Sequence, residues 1–176
     1  MYEIGSLIFY GSTGVCLVEG VKQMKSISGS GNVLYYVLRP LSGGDIIYSP
    51  ALNPKVFMRP VLSKETALAL FSVTAKELET RATELENTAI KTSAELGRLV
   101  LSTHNAFDLL VMVYTLRQRK KELAERRRHL GQVDEHFLAK GEALLFGELS
   151  VVLSMEKETV ASLLAEKGLL PGFIGK

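Results

Sequence analysis

The chain has 176 residues, 47% of them hydrophobic and 23% charged, with a net charge of +2. These proportions sit near globular averages and exclude a fibrous or intrinsically disordered chain, and the length suits one domain or two small ones. So small a net charge makes no case for nucleic acid by itself, because phosphate binding depends on a local basic stripe rather than on the total.

Met1 leads straight into an alternating segment, so no signal peptide is expected. From there to about Leu62 the apolar residues come in short runs rich in β-branched and aromatic types, separated by turn formers. Leu7-Ile8-Phe9-Tyr10 precedes Gly11-Ser12-Thr13-Gly14, and Val15-Cys16-Leu17-Val18 leads into Gly20. Gly29-Ser30-Gly31-Asn32 precedes Val33 to Leu38, and Ser42-Gly43-Gly44-Asp45 separates that run from Ile46 to Ser49, where Pro50 cannot donate to a ladder. Four or five short strands in about sixty residues predict a small, bent sheet or open barrel. Lys22 and Lys25 flank Met24 on a polar stretch that reads equally as a protected edge or as an edge to which a partner adds a strand. A strand-swapped dimer is one form such an edge allows.

Past Arg59-Pro60 the pattern changes to helices. Ser63, with Glu65 and Thr66 behind it, predicts an N-cap and a short helix through Phe71. Lys76 to Leu101 predicts one broken helix or two short ones. Asn105 with Asp108 resembles a capping pair that opens a helix carrying Phe107, Leu110, Val111, Tyr114 and Leu123, which Gly131 should end. A further helix from about Asp134 has Phe137, Leu138, Leu144, Leu145, Leu149, Val152 and Leu153 on one face. A last one runs from Lys157 to Glu166 and stops at Gly168. The class is α+β: a β-rich domain over 1–62, then an all-α helical bundle over 63–176.

Residues suited to chemistry are few. His104, His129 and His136 show no ligand spacing, so no metal is expected. Cys16, the single cysteine, excludes a disulfide framework, fits the reducing cytoplasm, and lies in an apolar run that makes it a core residue rather than a nucleophile. Gly11 to Gly14 lacks the phosphate-loop spacing and lies between strands. No enzyme, cofactor or small-molecule substrate is expected. The apolar run from Leu109 to Tyr114 is far short of the roughly 20 residues that span a bilayer, so no membrane partner is expected.

One cluster stands out. Arg117, Arg119, Lys120, Lys121, Arg126, Arg127 and Arg128 meet only Glu122 and Glu125 before His129. On a helix ending near His129 they cover its last turns, either as solvated cations favoured by the macrodipole or as phosphate contacts.

The motif Gly5-x-x-Ile8-x-Tyr10-Gly11-x-x-Gly14-Val15-Cys16-x-Val18-Glu19, with Leu34-Tyr35-Tyr36-Val37-Leu38, Ile47-Tyr48-Ser49-Pro50 and Met58-Arg59-Pro60-Val61, resembles the CarD/CdnL family of transcriptional regulators. The same module is similar to the RNA polymerase-interacting domain of the transcription-repair coupling factor. The likeness continues through Tyr114-Thr115-Leu116-x-x-Arg119-Lys120-Lys121-Glu122, Asp134-Glu135-x-Phe137-Leu138 and Leu145-Phe146-Gly147-Glu148-Leu149. It implies a Tudor/SH3-like barrel that binds the β subunit of bacterial RNA polymerase by strand addition, and a helical domain near promoter DNA, together modulating the stability of the open promoter complex. Carried over by position, Lys22, Met24, Lys25, Arg39 and Tyr48 meet polymerase.

The departure from the family pattern falls on the DNA side. Members carry a Trp and a basic run before the long central helix, whereas this chain has no Trp. From Arg81 to Arg98 it keeps only Arg81, Lys91 and Arg98 as bases, against Glu84, Glu86 and Glu95. DNA contact, if made, then rests on Lys91, Arg98 and the basic turns at 117–128. The alternative is a polymerase-binding adaptor whose helical domain engages another protein.

Overall fold

The computed structural model describes residues 1–25, 31–52, 54–87 and 92–173. Gly29 and Ser30 of the predicted turn, and the candidate Lys91, lie outside the described residues. The chain divides into two compact units, Met1–Val61 and Leu62–Lys176.

The first unit is a five-stranded antiparallel sheet. Its strands are β1 (Leu7–Tyr10), β2 (Gly14–Lys25), β3 (Asn32–Pro40), β4 (Ile47–Pro50) and β5 (Met58–Pro60), in the order β4-β3-β2-β1-β5. Gly11, at φ 42°, starts the β1–β2 turn, and a Cβ there would lie 2.5 Å from Val56 Cγ1, so only glycine fits. Alternation places Ile8, Tyr10, Cys16, Val18, Tyr36 and Leu38 on one face, where they form the core. Tyr36 Oη accepts a hydrogen bond from the Tyr2 N–H at 2.7 Å, which holds the N-terminal segment against that face.

Among the described residues no ladder joins the two edge strands, so the sheet is open, in line with the small bent sheet read from the residues but not closed into the Tudor/SH3-like barrel that the resemblance implies. The edge strands have only four and three residues, which limits what they can pair. A bulge at Glu19, between Val18 and Gly20, breaks the β2–β3 register and bends β2.

The second unit is helical: α1 (Lys64–Ala69) followed by a 3-10 turn at Leu70–Ser72, then α2 (Ala75–Asn87), α3 (Ser93–Thr103), α4 (Ala106–Glu125), α5 (Gln132–Leu153) and α6 (Lys157–Glu166). The starts follow from local chemistry. Ser63 Oγ accepts from the Thr66 N–H at 3.1 Å, and Thr92 with Glu95 makes a reciprocal capping box at 3.1 and 3.2 Å. Asn105 Oδ1 accepts from the Phe107 and Asp108 N–H groups, but the Asp108 carboxylate turns away to Arg81 instead of completing the expected pair. Leu109, Leu110 and Val113 of α4, Leu145 and Leu149 of α5, and Val160 and Leu164 of α6 are all within 1% of full burial. Glu148 lies at the same depth, 1% exposed, and accepts the Leu62 N–H at 3.0 Å.

One predicted boundary is corrected. The helix expected to run to Gly131 stops at Glu125, because Arg127 takes the left-handed conformation at φ 54°. The Arg128 N–H then bonds Leu123 O at 2.8 Å and the Arg127 N–H bonds Ala124 O at 2.9 Å, the Schellman pattern. Gly131 instead caps the start of α5 in extended backbone. Arg126, Arg127 and Arg128 therefore stand on a turn beyond the helix rather than around its last turns.

Candidate functional site

The β2–β3–β4 register decides which side each candidate of the sheet unit faces. Lys22 pairs with Tyr35, Met24 with Val33, Leu17 with Arg39 and Val37 with Tyr48. Strand period two then puts Lys22, Met24, Arg39 and Tyr48 together on the face opposite the core. Lys25 pairs with Asn32 and has the other parity, so it is the one predicted contact this face does not include.

The face has a cationic and aromatic character. Lys22 Nζ lies 5.8 Å from the centroid of the Tyr48 ring, at the outer limit of a cation–π contact, and Tyr48 is 44% exposed. Glu19, displaced by the bulge, accepts a hydrogen bond from Arg39 Nε. That bond, and next the Glu19 charge, raise the Arg39 guanidinium above its ordinary value. Further along the same face Phe9 is fully buried, with the Arg59 guanidinium 4.3 Å from its ring centroid. Sequence reasoning did not single out Glu19 as the partner of Arg39. The signal was its position before Gly20 in an otherwise alternating strand, a common setting for a bulge.

This face ends at an open edge. β1 pairs with β2 only over Gly14–Leu17, so among the described residues β2 from Gly20 to Lys25 is laddered on its β3 side alone. Its outer backbone groups are available to another strand.

The basic cluster of the helical unit separates into two sets. Arg117 pairs with Glu142 and lies 5.1 Å from the Phe173 ring centroid. Arg119 pairs with Asp134 at 3.0 Å, and Lys120 with Glu135 at 3.0 Å. These three serve packing between α4 and α5. Lys121, Arg126, Arg127 and Arg128 are exposed and have no carboxylate partner among the described residues, and Arg98 on α3 is in the same state. Arg81 spans Asp108 at 2.9 Å and Glu84 at 3.1 Å; the bond to Asp108, then that to Glu84, raises its guanidinium above the ordinary value.

Other chemistry is sparse. Among the described residues no group of three or more His, Cys, Asp or Glu is placed to hold a metal, and no helix is long and apolar enough to cross a membrane. Cys16 is fully buried, and burial pushes its thiol up to about 11. His104 occupies a left-handed C-cap, and His136 sits edge-on to Phe137 with centroids 5.5 Å apart.

Residues 2–62 match the family model of the CarD-like/TRCF RID domain. No curated protein matches the chain. The match ends at the boundary of the sheet unit, next to Val61. The five-stranded unit is therefore a CarD-like/TRCF RID domain, and the chain is a protein that carries one.

Proposed function

We propose that this chain is a non-enzymatic bacterial transcription regulator of the cytoplasm that docks on the β subunit of RNA polymerase through its RID domain and modulates open-complex stability. The observation that carries this reading is the placement of Lys22 and Met24 on the open-edged segment of β2, with Arg39 of β3 and Tyr48 of β4 on the same face, within a domain of this family. A partner strand added along Gly20–Lys25 supplies main-chain hydrogen bonds, while the cationic and aromatic side chains beside it select the partner. In this reading the open sheet works as a Tudor-like platform. The test is a pull-down of the β lobe by the full chain: retention supports the reading, and no retention sinks it.

For the helical unit the reading is contact with promoter DNA through Lys121, Arg126, Arg127, Arg128 and Arg98, exposed cations available to phosphates. A second reading, an adaptor whose helical unit binds a protein, is favoured by Arg117, Arg119 and Lys120 being taken up in ion pairs. Salt-dependent binding of fork DNA separates the two.

A further inference from the structure

The helical unit encloses a cavity of about 130 Å³ among α2, α3, α4 and the start of α5. Leu85, Val100, Val111, Met112, Leu116 and Phe137 line it, and each is at most 9% exposed. Its shape depends on a small residue. A Cβ on Gly97 would lie 2.5 Å from the Phe137 ring, so glycine lets that ring lean on α3 and form one wall. Space of this size is unusual in an interior otherwise packed to crystal density, and leaving it empty costs stability. An apolar cavity of about 150 Å³ stays dry and takes up benzene.

The open end has polar groups. Ser93 and Glu86 are exposed there, and Arg119 is held between Asp134 Oδ2 at 3.0 Å and Ser93 Oγ at 3.4 Å. Among the described residues two carboxylates face one guanidinium there, which disfavours an anionic ligand, and the exposed Glu86 accepts a hydrogen bond from a neutral N–H or O–H. The Phe137 ring and the Met112 thioether favour an aromatic occupant over an aliphatic one.

We propose that this cavity is a binding site for a compact, uncharged aromatic molecule of one or two rings with a single hydrogen-bond donor. The bound ring bridges α2 and α3 to α4 and α5, and it stabilises the helical unit by mass action. Every residue that lines the cavity belongs to the helical unit, so the proposal does not rest on polymerase docking.

The full chain, labelled at methionine and valine methyl groups, is titrated with indole, with benzoate as the anionic comparator. Saturable shifts at Met112, Val100 and Val111, with a raised unfolding midpoint, are expected for indole and neither effect for benzoate. Val111→Phe fills the space and should abolish the saturable shifts at Met112 and Val100. Should that variant not fold, Ala82→Met at the rim should weaken them. Absence of saturable shifts in the parent chain, unsaturating shifts scattered over both units, or unchanged binding in a folded variant overturns the site. Benzoate binding as well as indole overturns the assignment of a neutral ligand.

Discussion

The outer face of the sheet and the basic end of α4 both began as rows of candidate residues, and folding treated them differently. On the sheet, Lys22, Met24, Arg39 and Tyr48 come from three strands and share one face, with only Arg39 ion-paired there among the described residues, to Glu19. On α4, Arg117, Arg119 and Lys120 are drawn to Glu142, Asp134 and Glu135, acids that lie 15 to 25 residues away in sequence. A strand's alternation sets its side chains by parity, so an error of face shows at once. A local count of charge says nothing about carboxylates that a neighbouring helix delivers.

The largest effects are expected at the sheet face. Lys22→Glu combined with Tyr48→Ala should weaken binding to the polymerase β lobe by about 30-fold or more, as expected when a central aromatic contact of at least about 2 kcal/mol is lost. Lys25→Glu, of opposite parity, should change it by less than about threefold. Titration calorimetry decides this, and equal losses from the two variants would remove the face from the argument.

Arg81→Met leaves Asp108, 3% exposed, without its cation. A loss of about 2 kcal/mol is expected in chemical unfolding, below the usual cost of a broken buried pair because the Arg81 side chain is 37% exposed and its charge partly screened.

If the turn after α4 meets DNA, replacing Arg126, Arg127 and Arg128 with Ala should lower fork-DNA affinity several-fold and flatten its salt dependence by about 0.9 for each lost phosphate contact. Arg119→Ala should leave that slope unchanged while lowering the unfolding midpoint. The reverse pattern would assign the contact to the paired set. A smaller gain follows from the same turn: Arg127→Gly relieves a left-handed side chain and should stabilise the chain by about 1 kcal/mol in denaturant melts.

The least effect at neutral pH comes from Cys16. The unfolded chain gives up this proton near 9.0, while the native state holds it to about 11. The stability that comes from burying the neutral thiol is therefore full below pH 9 and lost as pH rises from 9 to 11. Cys16→Ala should flatten the alkaline limb of the stability profile, and an unchanged limb would contradict the burial argument.

Much was legible from local chemistry. The caps at Ser63 and Asn105, the turn at Gly11, the switch from period two to helical spacing near Leu62 and the core position of Cys16 each depend on a few neighbouring residues. The end of α4 was not legible. Gly131 looked like its stop, yet the αL position falls on Arg127, and Gly131 opens α5 in extended backbone. Nor did the sequence show that Asp108 would leave its capping role for Arg81, a partner 27 residues earlier.

Strand spacing in the first part of the chain, helical spacing in the second and the family of the first part were already carried by the sequence. Those properties follow from residue spacing and local hydrogen bonding, which the chain carries wherever it folds. Which cations are neutralised, that β2 stays open on one side among the described residues, and that four helices leave a cavity beside Phe137 follow instead from tertiary contacts. Pairing and packing depend on distances between residues remote in sequence, and those distances exist only once the elements meet.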